Sequence, residues 1–355
     1  MGWAFSDAVT TFRQHARLWD ELNVLTGNHI LLDAVSVQAQ LDHLAQRPVL
    51  LARWTDSNAP AMLLLESAGP GRWMSFQPAQ QPIGNALFLR SGAVEEQLSE
   101  LMRKLPGCAM LVGITGQDPA FSRIPQLTGS SLPVEWVAYQ QTGRVELRPD
   151  FATYWRERPP DLRDGMARRQ RRLDRDGQQV TLTALEDPAL VEQAIHHYSL
   201  LEGGGWKGQA GTAVGTADRQ GRFYNALLKD RCQQGEGMIF QLRIGERLAA
   251  SQLCVHRDGM LVSLKIAYDE GLRRDAPGYL LQAKIIELLH SRPPIRSIEF
   301  YGRATDGWTL KWTGDLRTIF HVNVYRSEFV QTSIRLARSL LSHGASNQLP
   351  TNGSP

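Results

Sequence analysis

Residues 202–211 form the first of three segments in the C-terminal half whose residue types could do chemistry. They read EGGGWKGQAG, so Trp206 and Lys207 stand among glycines. A run of glycines loses backbone order, and loops that nevertheless display an aromatic ring and a cation are usually functional. The segment therefore predicts a binding loop, with Glu202 at its first position.

Lys265 is the chemical feature of the second segment, a strand predicted at residues 261–268. Apolar and polar residues alternate along it until Lys265 places a charge in a sheet that should be buried. Burying an ammonium group is costly unless it is paired or faces a cleft, so we expect Lys265 to line a cleft. The alternative is an ordinary lysine on an edge strand.

A helix predicted to begin at Pro277 is the third segment. Its first turn has free backbone N–H groups and the positive end of the helix dipole, which suit it to hold a pyrophosphate. Gly278 lets a phosphate approach the backbone, and Arg273 and Arg274 precede the helix. The alternative is a proline-initiated helix with a pair of surface arginines.

The elements that must position these segments follow a clear order from residue 180 onward. The pattern predicts a strand at 180–185, helices at 190–201 and 219–233, an antiparallel meander of three strands at 238–268, the helix from Pro277, and strands at 297–301 and 318–325. Strands and helices mixed in this way indicate an α+β class.

The N-terminal half is also mixed α and β. A helical pattern near residues 11–25 precedes three short apolar runs between residues 49 and 76, which favour a second meander. A helical pattern at 94–105 and an apolar run at 109–114 follow. These elements predict another α+β layer.

Arginines crowd the segment 151–177, which contains the chain-breaking pair Pro159 and Pro160. They are Arg163, Arg168, Arg169, Arg171, Arg172 and Arg175, and the nearby acids are Asp161, Asp164, Asp174 and Asp176. The aspartates favour a solvated helix laced with salt bridges. Binding of an anionic acceptor, a membrane surface or tRNA could also account for this charge.

Overall composition excludes several classes of protein. The chain has 355 residues, 42% of them hydrophobic, and a net charge of +3, and it lacks the run of about 18 apolar residues that a membrane span needs. So small a positive excess does not indicate DNA binding. No secretory signal is visible, and Cys108, Cys232 and Cys254 have no paired spacing. We expect a cytoplasmic protein with reduced cysteines and no metal motif.

Four motifs, read with the order of elements from residue 180, resemble the GNAT acyltransferase fold. The motifs are LEGGGWKGQAGTA, SLKIAYDE, APGYLLQAKIIE and TLKWTG. They look like the tandem-domain branch that includes CelD-like acetyltransferases of cellulose biosynthesis and the FemAB aminoacyl transferases. The resemblance implies an α+β (α/β) fold with a GNAT-like mixed sheet flanked by helices, in two GNAT-like lobes in tandem.

The implied domain organisation has four parts. Residues 1–150 would be a degenerate GNAT-like lobe and residues 151–177 an arginine-rich helical junction. Residues 178–343 would be the acyltransferase domain. The last part, from Gly344 to Pro355, is rich in Gly, Ser, Asn and Pro and should be a disordered tail.

A donor of the acyl-CoA type is what the resemblance implies for the helix at Pro277. The GNAT phosphate signature is Arg or Gln, two residues, Gly, one residue, then Gly or Ala, and this chain offers Arg273, Ala276 and Gly278. Ala276 replaces the first glycine, so the match is degenerate. The pantetheine arm in this fold pairs alongside the strand that carries Lys265. The implied donor-binding residues are Lys265, Ile266, Arg273, Arg274, Ala276, Pro277, Gly278 and Tyr279.

The resemblance also implies catalytic and acceptor residues. Glu202 would take the proton from the attacking amine, directly or through water, and the alternative is a solvated carboxylate at a helix end. Lys311 would stabilise an oxyanion or a phosphate charge. Tyr301 or Tyr268 would protonate the leaving thiolate. The acceptor side would comprise Trp206, Lys207, Asp269 and Trp312.

The implied activity is transfer of an acyl group from acetyl-CoA or another acyl-CoA to an amine. The acceptor would be a small molecule or a lipid-linked or polysaccharide-linked precursor, and peripheral membrane association is compatible with it. A FemAB-like transferase with an aminoacyl-tRNA donor is one alternative, disfavoured by the small positive excess and by an arginine-rich segment without interleaved aromatics. A catalytically silent scaffold of a polysaccharide assembly is another.

Overall fold

The computed structural model describes residues 2–122, 124, 131–147, 150–204, 214–304 and 307–346. Within these ranges the helices are α1 (Ala8–Thr26), α2 (Ala34–Leu44), α3 (Val94–Lys104), α4 (Phe151–Arg156), α5 (Pro160–Arg175), α6 (Val191–Gly203), α7 (Arg219–Gln233), α8 (Pro277–His290), α9 (Trp308–Trp312) and α10 (Glu328–Ser346). The strands are β1 (Trp3–Asp7), β2 (Val49–Trp54), β3 (Ala61–Ser67), β4 (Arg72–Ser75), β5 (Ala86–Phe88), β6 (Leu111–Gln117), β7 (Val134–Glu146), β8 (Val180–Leu185), β9 (Gly237–Ile244), β10 (Arg247–Arg257), β11 (Met260–Tyr268), β12 (Ser297–Glu299) and β13 (Leu316–Tyr325). Among the helices described, none combines the length and apolar content needed to cross a bilayer.

The same order of elements occurs twice along the chain. Apart from the short strand β5 between β4 and α3, the N-lobe runs β1, α1, α2, β2, β3, β4, α3 and β6, and the C-lobe runs β8, α6, α7, β9, β10, β11, α8 and β12. In each lobe the meander is antiparallel, and the strand after the last helix pairs parallel to the final meander strand. The fold is therefore α+β with two copies of one unit in tandem, as the sequence predicts.

The strands β7 and β13 join the lobes into one sheet. The strand order is β1-β2-β3-β4-β6-β13-β7-β12-β11-β10-β9-β8, with β5 beside β3. The strand β7 follows the N-lobe in sequence but pairs with β12 of the C-lobe, and β13 follows the C-lobe but pairs with β6 of the N-lobe. The lobes therefore cannot separate without breaking sheet hydrogen bonds.

Helices cover both faces of the C-lobe sheet. The helices α6 and α7 pack on the face that presents Leu253, and α8 packs on the face that presents Ala250. Opposite residues of an antiparallel pair share a face. Lys265, opposite Leu253, therefore points toward α6 and α7, whereas Tyr268, opposite Ala250, points toward α8.

A two-residue turn connects β10 to β11, which are neighbouring strands of the C-lobe sheet. Asp258 and Gly259, between β10 and β11, have φ angles of 52° and 84°. Two positive φ angles are the conformation that a two-residue hairpin prefers, and Asp-Gly adopts it readily. The turn thereby fixes the register that places Lys265 on one face and Tyr268 on the other.

Most of the predicted elements of the C-lobe are confirmed, and β8 and α7 have the predicted bounds. The strand predicted to end at residue 301 is β12, which ends at Glu299. The sequence patterns did not predict β1, α2 or β7. The helix α10 continues to Ser346, so the predicted tail begins too early at Gly344. Residues 347–355 lie outside the described residues, and the predicted domain boundaries stay predictions.

Candidate active site

An opening in the sheet separates β11 from β12. These parallel strands pair only from Met260 and Ser297 to Val262 and Glu299 in the described residues. Tyr301 then turns the chain away with a φ of 50°, a left-handed conformation that is uncommon for a bulky residue. Because β11 continues to Tyr268, its second half faces an opening rather than a neighbouring strand.

A cavity of about 360 Å³ lies at this opening, between the lobes. Its wall is built from the N-lobe segment 77–82, Tyr139 and Gln140 of β7, Tyr224 of α7, residues 263–265 of β11, residues 300–302 and His321 of β13. No aspartate or glutamate lines it within the described part of the chain. Its polar groups are chiefly glutamine amides, from Gln77, Gln80, Gln81 and Gln140.

Lys265 and Glu202 meet beside the cavity. Lys265 lines the wall, and its Nζ lies 3.5 Å from Glu202 Oε1. The two side chains are 19% and 3% exposed, so little water separates their charges. The ring centroid of Tyr224 lies 6.0 Å from Lys265 Nζ, within reach of a cation–π interaction. This wall of the cavity therefore carries a positive charge with a buried counter-ion behind it.

Within the described residues, Tyr198 and Val214 donate hydrogen bonds to the Glu202 carboxylate, in addition to this ion pair. Tyr198 donates its hydroxyl to Oε1 at 3.2 Å, and the Val214 N–H donates to Oε2 at 2.8 Å. Burial, with the charge of Glu202, raises the pKa of Tyr198 well above its ordinary value, so the hydroxyl remains a donor. Glu202 is buried and does not line the cavity, so it would act on a ligand through Lys265 or a water molecule.

The Tyr301 hydroxyl is engaged in a buried network that joins the lobes. It donates to Asp118 Oδ2 at 2.9 Å and lies 2.9 Å from His29 Nε2. Burial lowers the pKa of His29 to about 3, so the ring is neutral. Because His29 Nδ1 accepts the Leu31 N–H, Nε2 carries the ring proton and donates it to the Tyr301 oxygen.

Arg317 of β13 supplies the positive charge of this network. It donates to both oxygens of Asp118 and to Glu299 Oε1 at 2.9 Å. Although burial opposes it, the hydrogen bonds and charge of Arg317 hold the pKa of Asp118 below its ordinary value. Burial raises the pKa of Glu299 to about 7, despite Arg317. The network thus couples the end of β12 to the N-lobe.

Tyr301 is thus held at both its hydroxyl and its backbone, and its predicted role as the proton donor to the thiolate stays a prediction. Burial and the charge of Asp118 raise the pKa of Tyr301 well above its ordinary value, and the hydroxyl hydrogen is committed to Asp118. Its backbone carbonyl accepts the Gln140 side-chain N–H at 2.9 Å. The residue thereby fixes one amide of the cavity wall.

The beginning of α8 lies on the opposite face of the sheet. Ala276, at the N-cap, has φ 49° and ψ 58° and offers no side-chain hydrogen bond to the first turn. The ring of Tyr268 lies over Gly278, 3.5 Å from the position that a Cβ would take there. An N-terminal turn without a side-chain cap, flanked by Arg273 and Arg274, retains the features that suit a phosphate.

Buried amides without partners lie in the layer between α8 and the sheet. Gln282 of α8 is fully buried, and neither of its amide atoms has a hydrogen-bond partner in the described structure. Gln252, opposite Ile266, donates to Ser263 Oγ at 2.8 Å, while its Oε1 has no partner. Buried amides without hydrogen-bond partners are rare in native proteins.

The predicted acceptor residues are spread over different surroundings. Asp269 pairs with Arg247 and caps the turn at Gly271. Trp312 is fully buried, and its ring lies 5.9 Å from that of Tyr279 on the α8 side. Neither residue lines the cavity, and their assignment to the acceptor side stays a prediction. Trp206 and Lys207 lie outside the described residues.

Lys311 is also removed from the cavity. Its ammonium pairs with Asp161 of α5, and it is not part of the cavity wall. Lys265, unlike Lys311, lines the cavity wall. The side chain of Lys265 lies on the face opposite α8, and its predicted contact with the donor stays a prediction.

Several residues that shape the cavity carried no signal in the sequence. The rings of Tyr139 and His321 stack with centroids 4.1 Å apart, and Arg303 lies 6.0 Å from the Tyr139 centroid. Gln81 is held by its hydrogen bond to the Leu31 carbonyl at 2.9 Å. Only the QPAQQP segment at 77–82, with its prolines and glutamines, could have indicated a polar loop.

Comparison with known proteins finds a family model that matches part of the chain. Residues 160–308 match the family model of an acetyltransferase (GNAT) domain. No curated protein matches the chain.

Solved structures share the fold of the whole chain. The C-terminal domain of a proposed lysylphosphatidylglycerol synthetase from Agrobacterium fabrum is 10% identical, with a TM-score of 0.57 over 92% of this chain and 97% of that one. FemX is 9% identical, with a TM-score of 0.58 over 90% of this chain and 98% of that one. A conserved protein of unknown function from Bacteroides thetaiotaomicron is 7% identical, with a TM-score of 0.57 over 91% and 99%. Residues 160–308 therefore match a GNAT acetyltransferase domain, and the chain as a whole shares its fold with these solved structures.

Proposed function

We propose that the chain is an N-acyltransferase that moves an acyl group from a pantetheine thioester, such as acetyl-CoA or another acyl-CoA, to an amine held in the cavity. The observation that carries this proposal is the opening between β11 and β12. It has the Lys265–Glu202 pair on one face and the start of α8, without a side-chain cap, on the other. A donor entering from the α8 face would present its thioester to an acceptor on the cavity face.

The α8 face fits the chemistry of such a donor. The first turn of α8 and the neighbouring Arg273 and Arg274 would hold a pyrophosphate. The orphaned amides of Gln282 and Gln252 match a ligand with amide groups, which pantetheine has. The unpaired second half of β11 provides a strand edge for the same arm.

The cavity fits an acceptor that is polar but largely uncharged apart from its amine. Glutamine amides both donate and accept hydrogen bonds, as hydroxyl-bearing molecules do. Tyr139 is 44% exposed and stacks on His321, so its ring offers a flat apolar surface. Because no carboxylate lines the described wall, a polyamine would find no counter-ion there. An amino sugar, free or linked to a lipid or polysaccharide precursor, suits this lining.

The transfer forms an N–C bond, breaks the C–S bond, and moves one proton from the amine to the departing thiolate. Lys265 would stabilise the negative charge that develops on the thioester oxygen. Glu202 would hold Lys265 charged and in place, and would accept the amine proton through Lys265 or a water molecule. Both roles use a pair that is preorganised in the structure.

Replacement of Lys265 tests these roles. Lys265→Met should lower kcat about 100-fold or more while donor affinity changes little, since the charge acts mainly in the transition state. The matched control is Lys229→Met, an exposed lysine on α7. Thiol release from acetyl-CoA, measured with an amino sugar as acceptor, gives the rate. An unchanged kcat in a folded Lys265→Met protein would remove Lys265 from the reaction.

An aminoacyl-tRNA donor is the second candidate, and the exposed arginines of α5 are the observation that favours it. The fold shared with FemX is compatible with it but does not choose the donor. Ribonuclease treatment separates the two donors, because only a tRNA-dependent transfer would stop. A thermal shift with acyl-CoA then separates enzyme from scaffold, since a scaffold would not be stabilised.

A further inference from the structure

Five exposed arginines lie together beside the start of α8. They are Arg168, Arg171 and Arg175 of α5, and Arg273 and Arg274 of the 3₁₀ turn Glu270–Asp275, and we call them the arginine surface. The three on α5 are spaced by three and four residues, which aligns them on one side of the helix. The turn that carries the other two leads directly into Pro277.

Arg172 fixes the position of this surface. Its guanidinium pairs with Asp275 and donates to the Arg274 carbonyl at 3.0 Å. Arg172 follows Arg168 by four residues and precedes Arg175 by three, so its contact brings this side of α5 against the 3₁₀ turn. The arginine surface is therefore held at the entrance to the α8 N-terminus by a partly buried ion pair.

The aspartates of α5 do not neutralise these arginines as the sequence led us to expect. Asp161 pairs with Lys311, and Asp174 accepts from Gln170. Asp176 does pair with Arg175, at 3.5 Å between exposed groups. Within the described residues, Arg168, Arg171, Arg273 and Arg274 have no carboxylate partner among the ion pairs that the structure contains. The predicted helix laced with salt bridges is corrected for that reason.

Like charges at helical spacing repel one another, which destabilises the free protein slightly. Such a cluster is retained more readily where an anion binds, and arginine is well suited to phosphate because its donors form a planar fork. Acids flank the cluster, with Asp164 before Arg168 and with Asp174 and Asp176 on either side of Arg175. The positive area is thus short and without interleaved aromatic rings, which favours a compact phosphorylated ligand over an extended RNA strand.

We propose that the arginine surface is a second phosphate subsite, which recognises the 3′-phosphate of a CoA-type donor. The subsite rests on the proposed function, since it lies beside the α8 turn that would hold the pyrophosphate of the same donor. The start of α8 would bind the phosphates nearest the pantetheine arm. The α5 arginines would bind the phosphate on the ribose and so discriminate CoA from donors that lack it.

A comparison of CoA with 3′-dephospho-CoA tests the subsite by calorimetry. The protein should bind CoA about tenfold or more tightly than 3′-dephospho-CoA, the scale of one charge-assisted contact. The double variant Arg168→Ala, Arg171→Ala should bind both ligands equally, at the level of 3′-dephospho-CoA. The control is the double variant Arg13→Ala, Arg17→Ala on the exposed side of α1. It should keep the native preference for CoA over 3′-dephospho-CoA.

Other outcomes overturn the proposal in distinguishable ways. The subsite would be refuted, while the proposed donor stands, if the unmodified protein bound CoA and 3′-dephospho-CoA with about equal affinity. It would also be refuted if the α5 variant kept the same preference for CoA as the unmodified protein. No binding of either ligand would overturn the proposed donor and the subsite with it. Binding of an RNA duplex that is lost in the α5 variant, with no difference between the two forms of CoA, would assign the surface to RNA.

Discussion

Glu202→Gln removes the buried carboxylate behind Lys265 with almost no change in shape. In the native protein Oε1 faces Lys265 at 3.5 Å and accepts from Tyr198, while Oε2 accepts from the Val214 N–H. Glutamine has a single acceptor oxygen, so it can keep only one of these two sets of contacts. The substitution therefore tests the charge and the proton-accepting capacity of Glu202 together.

The magnitude follows from the geometry. Two unit charges at the 3.5 Å separation of Lys265 and Glu202 attract by about 5 kcal/mol at an effective dielectric constant of about 20. Loss of one acceptor costs about 1–3 kcal/mol of folding stability. Loss of a general base costs about 100-fold to 10,000-fold in rate. We expect kcat to fall by at least 100-fold in a protein that still folds.

The assay is thiol release at saturating acetyl-CoA, with a thermal melt to establish folding. Glu192→Gln is the matched control, because Glu192 is an exposed glutamate on the same helix. A Glu202→Gln protein that folds and turns over at the native rate would refute the proposed role of the carboxylate. A change in KM alone would make Glu202 a structural support of the acceptor site.

Three further predictions concern Glu299, Gly278 and Lys311. Since burial raises the pKa of Glu299 from 4.5 to about 7, the folded protein holds its proton more tightly than the unfolded chain. The native protein should therefore lose on the order of 3 kcal/mol of stability relative to Glu299→Gln as the pH rises from 4.5 to 7. Urea unfolding at several pH values measures this difference. A native protein whose free energy of unfolding rises relative to that of the variant as the pH rises would contradict the prediction. Gly278→Val should weaken CoA binding tenfold or more by filling the space before the helix. Gly278→Ala should not, because its Cβ makes only an ordinary contact 3.5 Å from Tyr268. Calorimetry that finds the same CoA affinity in Gly278→Val as in the native protein would exclude this turn from the phosphate site. Lys311→Ala should leave kcat within about threefold of native, because Lys311 pairs with Asp161 outside the cavity, and a loss of kcat like that of Lys265→Met would restore its predicted role.

The C-lobe was predictable because its elements have strong local patterns. The meander turns, the proline at the start of α8 and the alternation along β11 are each encoded within a few residues. The strand β7 was missed because its middle, around Tyr139, is exposed and polar. Only its pairing with β12 and β13 makes it a strand, and such partners are distant in sequence.

The site was harder to predict than the fold because its contacts join distant parts of the chain. Glu202 and Lys265 are 63 residues apart, and a pattern of types and spacing cannot show that they meet. Asp118 lies 183 residues from Tyr301, and its network follows from the exchange of β7 and β13 between the lobes. A tyrosine at the end of a strand looked catalytic in the sequence, but its hydroxyl is committed to the lobe interface.

The most direct test of the proposed acyl transfer follows both products of the reaction. Purified protein, treated with ribonuclease, would receive acetyl-CoA and an amino sugar, and the thiol and the acylated sugar would be quantified together. We predict that both products form in equal amounts, and that both rates fall together in Lys265→Met and persist in Lys229→Met. Acyl transfer that ribonuclease abolishes, or thiol release with no acylated acceptor, would contradict the proposal.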